Sequence, residues 1–185
     1  RRMAGGRDVV ATNLRILEHA GVWHRASENH AASSCADAAP RRNRLGYVGI
    51  PLADELKSWV GADANRSQVV VLHCRGNRRL DLRPGGKVDQ LLGYLPHRLE
   101  ESELAERFGQ GYGLVTPFEM ARHESVQQVF DEGVVADRSF APHTMMTNLG
   151  HRNHGVEFNP VSYTHLRAHE TVLDLVCRLL LEKKN

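Results

Sequence analysis

The run from Gln68 to Arg75, QVVVLHCR, constrains this chain more than any other stretch. Three consecutive valines and a leucine suit a pleated, buried surface, so the run reads as the strongest strand in the sequence. Gly76-Asn77 follows as a tight turn, and Arg78 to Leu82 alternates polar and apolar residues. Together they predict a β-hairpin over residues 68–82.

Helical patterns flank it. Asp8 can cap a helix through Val10, Leu14 and Leu17 that stops near Gly21. Ser33-Ser34 introduces a short helix over Cys35 to Ala39, halted by Pro40. Val88, Leu91 and Leu92 share one face of a helix ending at Gly93. Glu101 to Phe108 makes another, with Ser102 as its cap and Gly109 as its stop. Shorter strands fit Leu114–Thr116, Val126–Phe130, Thr144–Thr147 and Val156–Phe158. Helices and strands are interspersed without a regular βαβ beat or an internal repeat, which predicts one α+β domain on a mixed sheet.

Composition excludes little beyond that. The 185 residues suit one domain, and 41% hydrophobic with 25% charged residues is ordinary for a globular protein. A net charge of +2 permits an RNA partner without predicting one. Cys35, Cys74 and Cys177 are widely spaced, which argues against a disulfide framework or zinc cage and fits a reducing, cytoplasmic setting. No run approaches the ~20 apolar residues of a membrane helix, and no signal peptide is readable. The chain opens on Arg1-Arg2 rather than Met, as a fragment would.

Three features can carry chemistry. Lys57 sits among Leu56, Trp59 and Val60, either as a surface lysine laid over an apolar face or as a partly desolvated ammonium. Gly113-Leu114-Val115-Thr116-Pro117-Phe118 is either a strand entered from a turn or a loop presenting amides to a carbonyl oxygen. The polar stretch Thr147 to Glu157 reads as an exposed turn whose His151 and His154 either orient a water or have no task. Arg41, Arg42 and Arg44 form a basic connector, a solvated loop or a phosphate contact. His73 and Cys74 point to opposite faces of a strand and read as core, and Asp131-Glu132 reads as a solvated turn. No Ser-His-Asp order or phosphate-binding glycine loop is readable.

In order and spacing these pieces resemble the YbaK/prolyl-tRNA-synthetase-associated domain family. The resemblance runs from about Leu14 to Pro160, through Leu14 to Gly21, His30, Ser33 to Ala39, Lys57-Ser58, Arg75 to Leu82, Gly113 to Phe118, Phe130 to Glu132 and Thr147 to His151. It implies a single domain over residues 8–160 with a mixed, barrel-like β-sheet and surrounding helices. It also implies hydrolysis of the ester of mischarged aminoacyl-tRNA without metal or cofactor. Lys57 then matches the lysine that holds the acceptor end, while Gly113 and Pro117 match a Gly-x-x-x-Pro loop around the aminoacyl group. His151 matches a histidine that some subfamilies use. Thr116, Phe118, Asp131, Asn148 and Gly150 are expected around the substrate. The implied partners are the tRNA acceptor end and a synthetase or larger parent chain, with no membrane. A non-catalytic aminoacyl-tRNA or amino-acid sensor and a detached editing module are the alternatives. The chain departs from the family in its acidic flank, Asp54-Glu55, and in an insertion over Arg41 to Ala53.

Residues 161–185 resemble something else, a translated sequencing-adapter peptide, which implies a non-native tail. Read as a native helix, the stretch would set His165 and His169 on one face, but Glu170 follows the second histidine, against the His-Glu-x-x-His order. No metal site is expected there.

Overall fold

A computed structural model describes residues 6–28, 31–135, 144–164 and 178–180. The elements run α1 (Gly6–His19), β1 (His24–Glu28), α2 (Cys35–Ala38), a 3-10 turn (Ala39–Arg41), β2 (Asn43–Arg44), β3 (Tyr47–Val48), a second 3-10 turn (Leu52–Asp54), β4 (Leu56–Ala62) and β5 (Val69–Arg75). After them come α3 (Lys87–Leu92), β6 (His97–Arg98), α4 (Glu101–Phe108), α5 (Pro117–Met120), β7 (Val126–Asp131), α6 (Glu132–Val135), β8 (Met145–Asn148), β9 (His154–Phe158) and β10 (Arg178–Leu180). Five strands form a mixed sheet in the order β10-β7-β5-β4-β6. β5 lies parallel to β7 and antiparallel to β4. A second, antiparallel sheet has the order β1-β9-β8, and a bridge from Glu55 to Met146 links the two. The class is α+β in one domain.

The Val69–Arg75 run is the buried strand its residues predict, but its partners differ from the expected hairpin. Every residue of β5 is buried. One face packs Val71 and Val69 with Val60, Leu99, Met120 and Val126, and the other packs Val70 and Leu72 with Val129 and Val88. Each such side chain contributes about 1.5–3 kcal/mol of burial. Both edges of β5 are taken by β4 and β7, so residues 78–82 have no edge to join. Leu80 and Leu82 lie over the second face instead. Alternation at period two is the same whether a segment pairs at an edge or lies across a face, which is why the sequence misled. Gly76 does not turn a hairpin: its N–H donates to the Glu55 carbonyl at 2.7 Å, and a Cβ there would meet the Leu52 carbonyl oxygen at 2.5 Å.

The helices form where expected, and α3 and α4 stop at Gly93 and Gly109 as expected, but other details differ. Asp8 lies in the first turn of α1 rather than at its cap. Ser34 caps α2 by accepting from the Asp37 N–H at 3.1 Å, while Pro40 sits inside the following 3-10 turn and does not halt the chain. The cap of α4 is Glu100, whose N–H donates to Glu103 Oε2 at 2.8 Å, and not Ser102. Leu114–Thr116 is not a strand; Thr116 caps α5 by accepting from the Glu119 N–H at 3.0 Å.

The arginine connector is exposed at Arg41, but its other two arginines are tied inward to carboxylates. Arg42 makes two contacts with buried Glu55, at 2.6 and 3.1 Å. Arg44 reaches Asp54 at 2.6 Å and buried Glu157 at 3.0 Å, and Arg25 meets Glu157 at 2.6 Å. Arg41 pairs with Asp37 at 2.7 Å. Buried carboxylates need partners, and these arginines supply them while fastening the insertion to both sheets.

Past Pro160, residues 160–164 are helical, and Tyr163 is fully buried among Phe118, Phe130 and Phe158. Its hydroxyl donates to the Pro117 carbonyl at 2.8 Å. The backbone of β10 pairs parallel with β7. Arg1-Arg2, His30, His165, His169, Glu170 and Cys177 lie outside the described residues.

Candidate functional site

A cleft of about 380 Å³ opens between the two sheets' ends and the short helix α2. Stretches far apart in the chain build it. Ser33 to Cys35 form one wall, Lys57 and Ser58 of β4 and Gly76 form the floor, and Gly113 to Val115 face them. Thr147 and Asn148 close the side, and Arg41 and Arg152 stand at the mouth. Lys57 and Ser58 are neighbours in a strand and point to opposite faces, yet both reach the cleft. β6 pairs only with Gly61 and Ala62, so no strand ladder covers the outer edge of β4 at residues 56–59 among the described residues.

Lys57 is half-buried, and its ammonium donates to the Arg78 carbonyl. An ammonium has three donors, so two remain beyond that bond. Gly113 has φ of +76°, a conformation that side chains other than glycine adopt at a cost. Its carbonyl accepts from Asn148 Nδ2 at 2.9 Å, and Asn148 Oδ1 accepts from the Gly150 N–H at 2.7 Å. The Leu114 N–H is occupied by the Gly111 carbonyl at 3.1 Å. The Val115 N–H, beside the cleft, has no such partner among the described residues.

The remaining expected residues stand around this cleft and do not line it. Thr116 and Phe118 are fully buried, and Pro117 begins α5 with its carbonyl bonded to Tyr163 and Gln128. Asp131 accepts from the Gly133 N–H at 2.8 Å, beyond the end of β7. Gly150, at φ of +80°, turns the chain against α1, where a Cβ would meet Val9 at 2.8 Å. His151 Nδ1 lies 3.1 Å from His154 Nδ1 and accepts from the Asn153 N–H at 3.2 Å, within the β8–β9 turn.

Sequence reasoning did not pick out Ser33 to Cys35, Arg152 or Ser58 as cleft residues. The helix cap at Ser34 was the available signal for the first. Arg41 and Arg42 are matched by Asp37 and Glu55, whereas Arg152 forms no ion pair among the described residues. The cleft therefore presents uncompensated positive charge at Lys57 and Arg152, suited to an anionic ligand. Cys35 lines it, but burial first and Glu55 second push its thiol up to about 11, so it is no thiolate nucleophile near neutrality. His73 is the core residue expected, stacked on Phe130 at 4.4 Å, and burial lowers its pKa to about 4 despite a hydrogen bond to Gln128. Among the described residues no three His, Cys, Asp or Glu side chains gather as a metal cage would. No helix among them is long and apolar enough to cross a membrane.

No family model matches the chain, and no curated protein matches it. Solved structures do. The crystal structure of the hypothetical protein APE2540 superposes with a TM-score of 0.66 at 19% identity, covering 83% of this chain and 91% of that one. A structure from the computational grafting of linear epitopes onto scaffold proteins gives 0.64 at 19%, over 86% and 92%. A "putative trans-editing enzyme for prolyl tRNA synthetase" gives 0.66 at 19%, over 89% and 94%. Nearly the whole length of each is matched, so this chain shares their fold.

Proposed function

We propose that this protein hydrolyses the ester of mischarged aminoacyl-tRNA, acting in trans through the cleft between Lys57 and the Gly113 loop. The observation that carries the reading is that Lys57, from the first half of the chain, and Gly113 to Val115, from the second, line one cleft, as such a reaction needs. The fold likeness to a trans-editing enzyme supports it.

An aminoacyl ester is already activated, so its hydrolysis needs a placed water and charge stabilisation more than a strong nucleophile. Lys57 supplies a point charge for the terminal phosphate, with Arg152 at the mouth as a second cation. The Val115 N–H is the loop amide best disposed for the developing oxyanion, a contribution of about 3–4 kcal/mol where such donors have been removed elsewhere. The substrate's own 2′-hydroxyl can move the proton. In this reading Pro117, Thr116 and Phe118 shape the loop from behind, and Asn148 with Gly150 holds it in place. His151 and Asp131 do not line the cleft and act on the tRNA outside it. The domain is assigned to residues 8–160, and the 161–185 tail is read as a non-native extension, although Tyr163 packs in the core.

The test is a deacylation screen of the purified chain against a full panel of mischarged tRNAs. Turnover of at least one, lost in Lys57→Ala, is expected. Binding of an aminoacyl-tRNA with no turnover would favour a sensor on the same fold, and neither binding nor turnover would remove the assignment.

A further inference from the structure

Behind the cleft a chain of hydrogen bonds runs from Ser58 to the glycine–proline loop. Ser58 Oγ lies 2.9 Å from His73 Nδ1. On the other side of the ring, Nε2 lies 2.8 Å from Gln128 Oε1, and Gln128 Nε2 donates to the Pro117 carbonyl at 3.1 Å. Ser58 and His73 are directly opposite in the β4–β5 register, so the contact is set by the sheet itself.

Only one arrangement of protons satisfies this chain. A carbonyl oxygen only accepts, so the amide end facing Pro117 must be the NH₂ group. The other end is then an oxygen, which obliges His73 to carry its proton on Nε2. Burial keeps the ring neutral across the physiological range, so it has no second proton to offer. Nδ1 therefore holds a lone pair, and the proton in its contact with Ser58 comes from the serine. A free serine can turn to donate or accept. This one has its proton committed inward and can only accept from the cleft it lines, where Lys57, Arg41 and Arg152 are donors only.

We propose that Ser58 is a substrate-binding acceptor in the cleft, held in that role by His73 and Gln128, and that it takes an N–H or O–H donor of the aminoacyl ester site. The donor is the α-ammonium of the aminoacyl group or the attacking water. This rests on the deacylase reading. His73 and Gln128 are positioning residues, and no covalent bond to Ser58 forms.

Two measurements test it. The first needs no turnover: ¹⁵N shifts of the His73 imidazole above pH 6 should place the proton on Nε2, and Ser58→Ala should move the Nδ1 resonance while leaving Nε2 in place. A proton on Nδ1 overturns the proposal. The second uses whichever aminoacyl-tRNA the wild type hydrolyses. Ser58→Ala should cut kcat/KM about tenfold, as loss of one hydrogen bond to a charged or reacting group does, while Ser58→Thr keeps most of it. A rise in KM with lost preference for free over N-acetylated aminoacyl groups identifies the ammonium. A fall in kcat at unchanged KM identifies the water. Ser58→Ala within twofold of wild type on both parameters overturns the proposal. If the wild type hydrolyses nothing, the deacylase reading fails. Binding of a 3′-amide-linked aminoacyl-adenosine then decides Ser58: weaker binding by Ser58→Ala upholds it, and equal or absent binding overturns it.

Discussion

Asn148 donates its side-chain amide to the Gly113 carbonyl at 2.9 Å, so the β8–β9 turn holds the glycine loop in its left-handed conformation. Asn148→Asp keeps the shape, loses the donor and sets a carboxylate against a carbonyl. Turnover should fall about tenfold or more. The melting temperature should move by only a few degrees, since one partly exposed hydrogen bond is worth about 1 kcal/mol. Deacylation kinetics beside a thermal melt check both.

Lys57 contributes charge at the cleft floor. Lys57→Ala should weaken aminoacyl-tRNA binding across all tRNAs alike and lower the slope of log Kd against log salt by about 1. Lys57→Arg should retain the salt slope but lose turnover, because a planar fork does not replace a point charge in a small cleft. Filter binding over a salt series reads the first, and single-turnover kinetics read the second.

Acid should unfold this protein through His73. Its pKa is about 4 when folded against an ordinary 6.5, so between those values the unfolded chain binds the extra proton and the folded one does not. Stability is thus complete above pH 6.5 and is lost as pH falls toward 4, by about 3 kcal/mol. Cys35 and Cys74 act at the other end. Both thiols are pushed up to about 11 by burial, so the unfolded chain releases protons first and stability declines as pH rises from 9 toward 11. Urea midpoints measured from pH 3.5 to 10.5 should trace both limbs, with the acid limb reduced in His73→Asn.

The Arg42–Glu55 pair is buried on both sides. Arg42→Ala leaves a carboxylate without its partner and should cost about 3–5 kcal/mol, whereas replacing both residues by Met and Leu should recover most of that. Chemical denaturation of the two variants distinguishes them.

Local signals carried the sequence reading well where one residue decides the outcome. Gly93 and Gly109 end their helices in left-handed conformations, and Val126, Met145 and Val156 fall in strands. Partners of strands were not legible, because period-two alternation at residues 78–82 serves an edge or a face equally well. The arginine connector was opaque for a similar reason: the carboxylates that match it, Glu55 and Glu157, lie 13 to 113 positions away along the chain. At the cleft, Lys57 and Gly113 could be singled out by type and surroundings. Ser58 could not, since its role depends on His73 across the sheet and Gln128 beyond it.

The cleft's walls are drawn from residue 32 through residue 152, so no short contiguous piece of the chain contains it. During synthesis the pocket cannot exist until the chain through residue 152 has left the ribosome, so a half-made chain carries no cleft. By the same token, splitting the gene anywhere between β4 and β8 should yield halves that are each inert and that regain function only together.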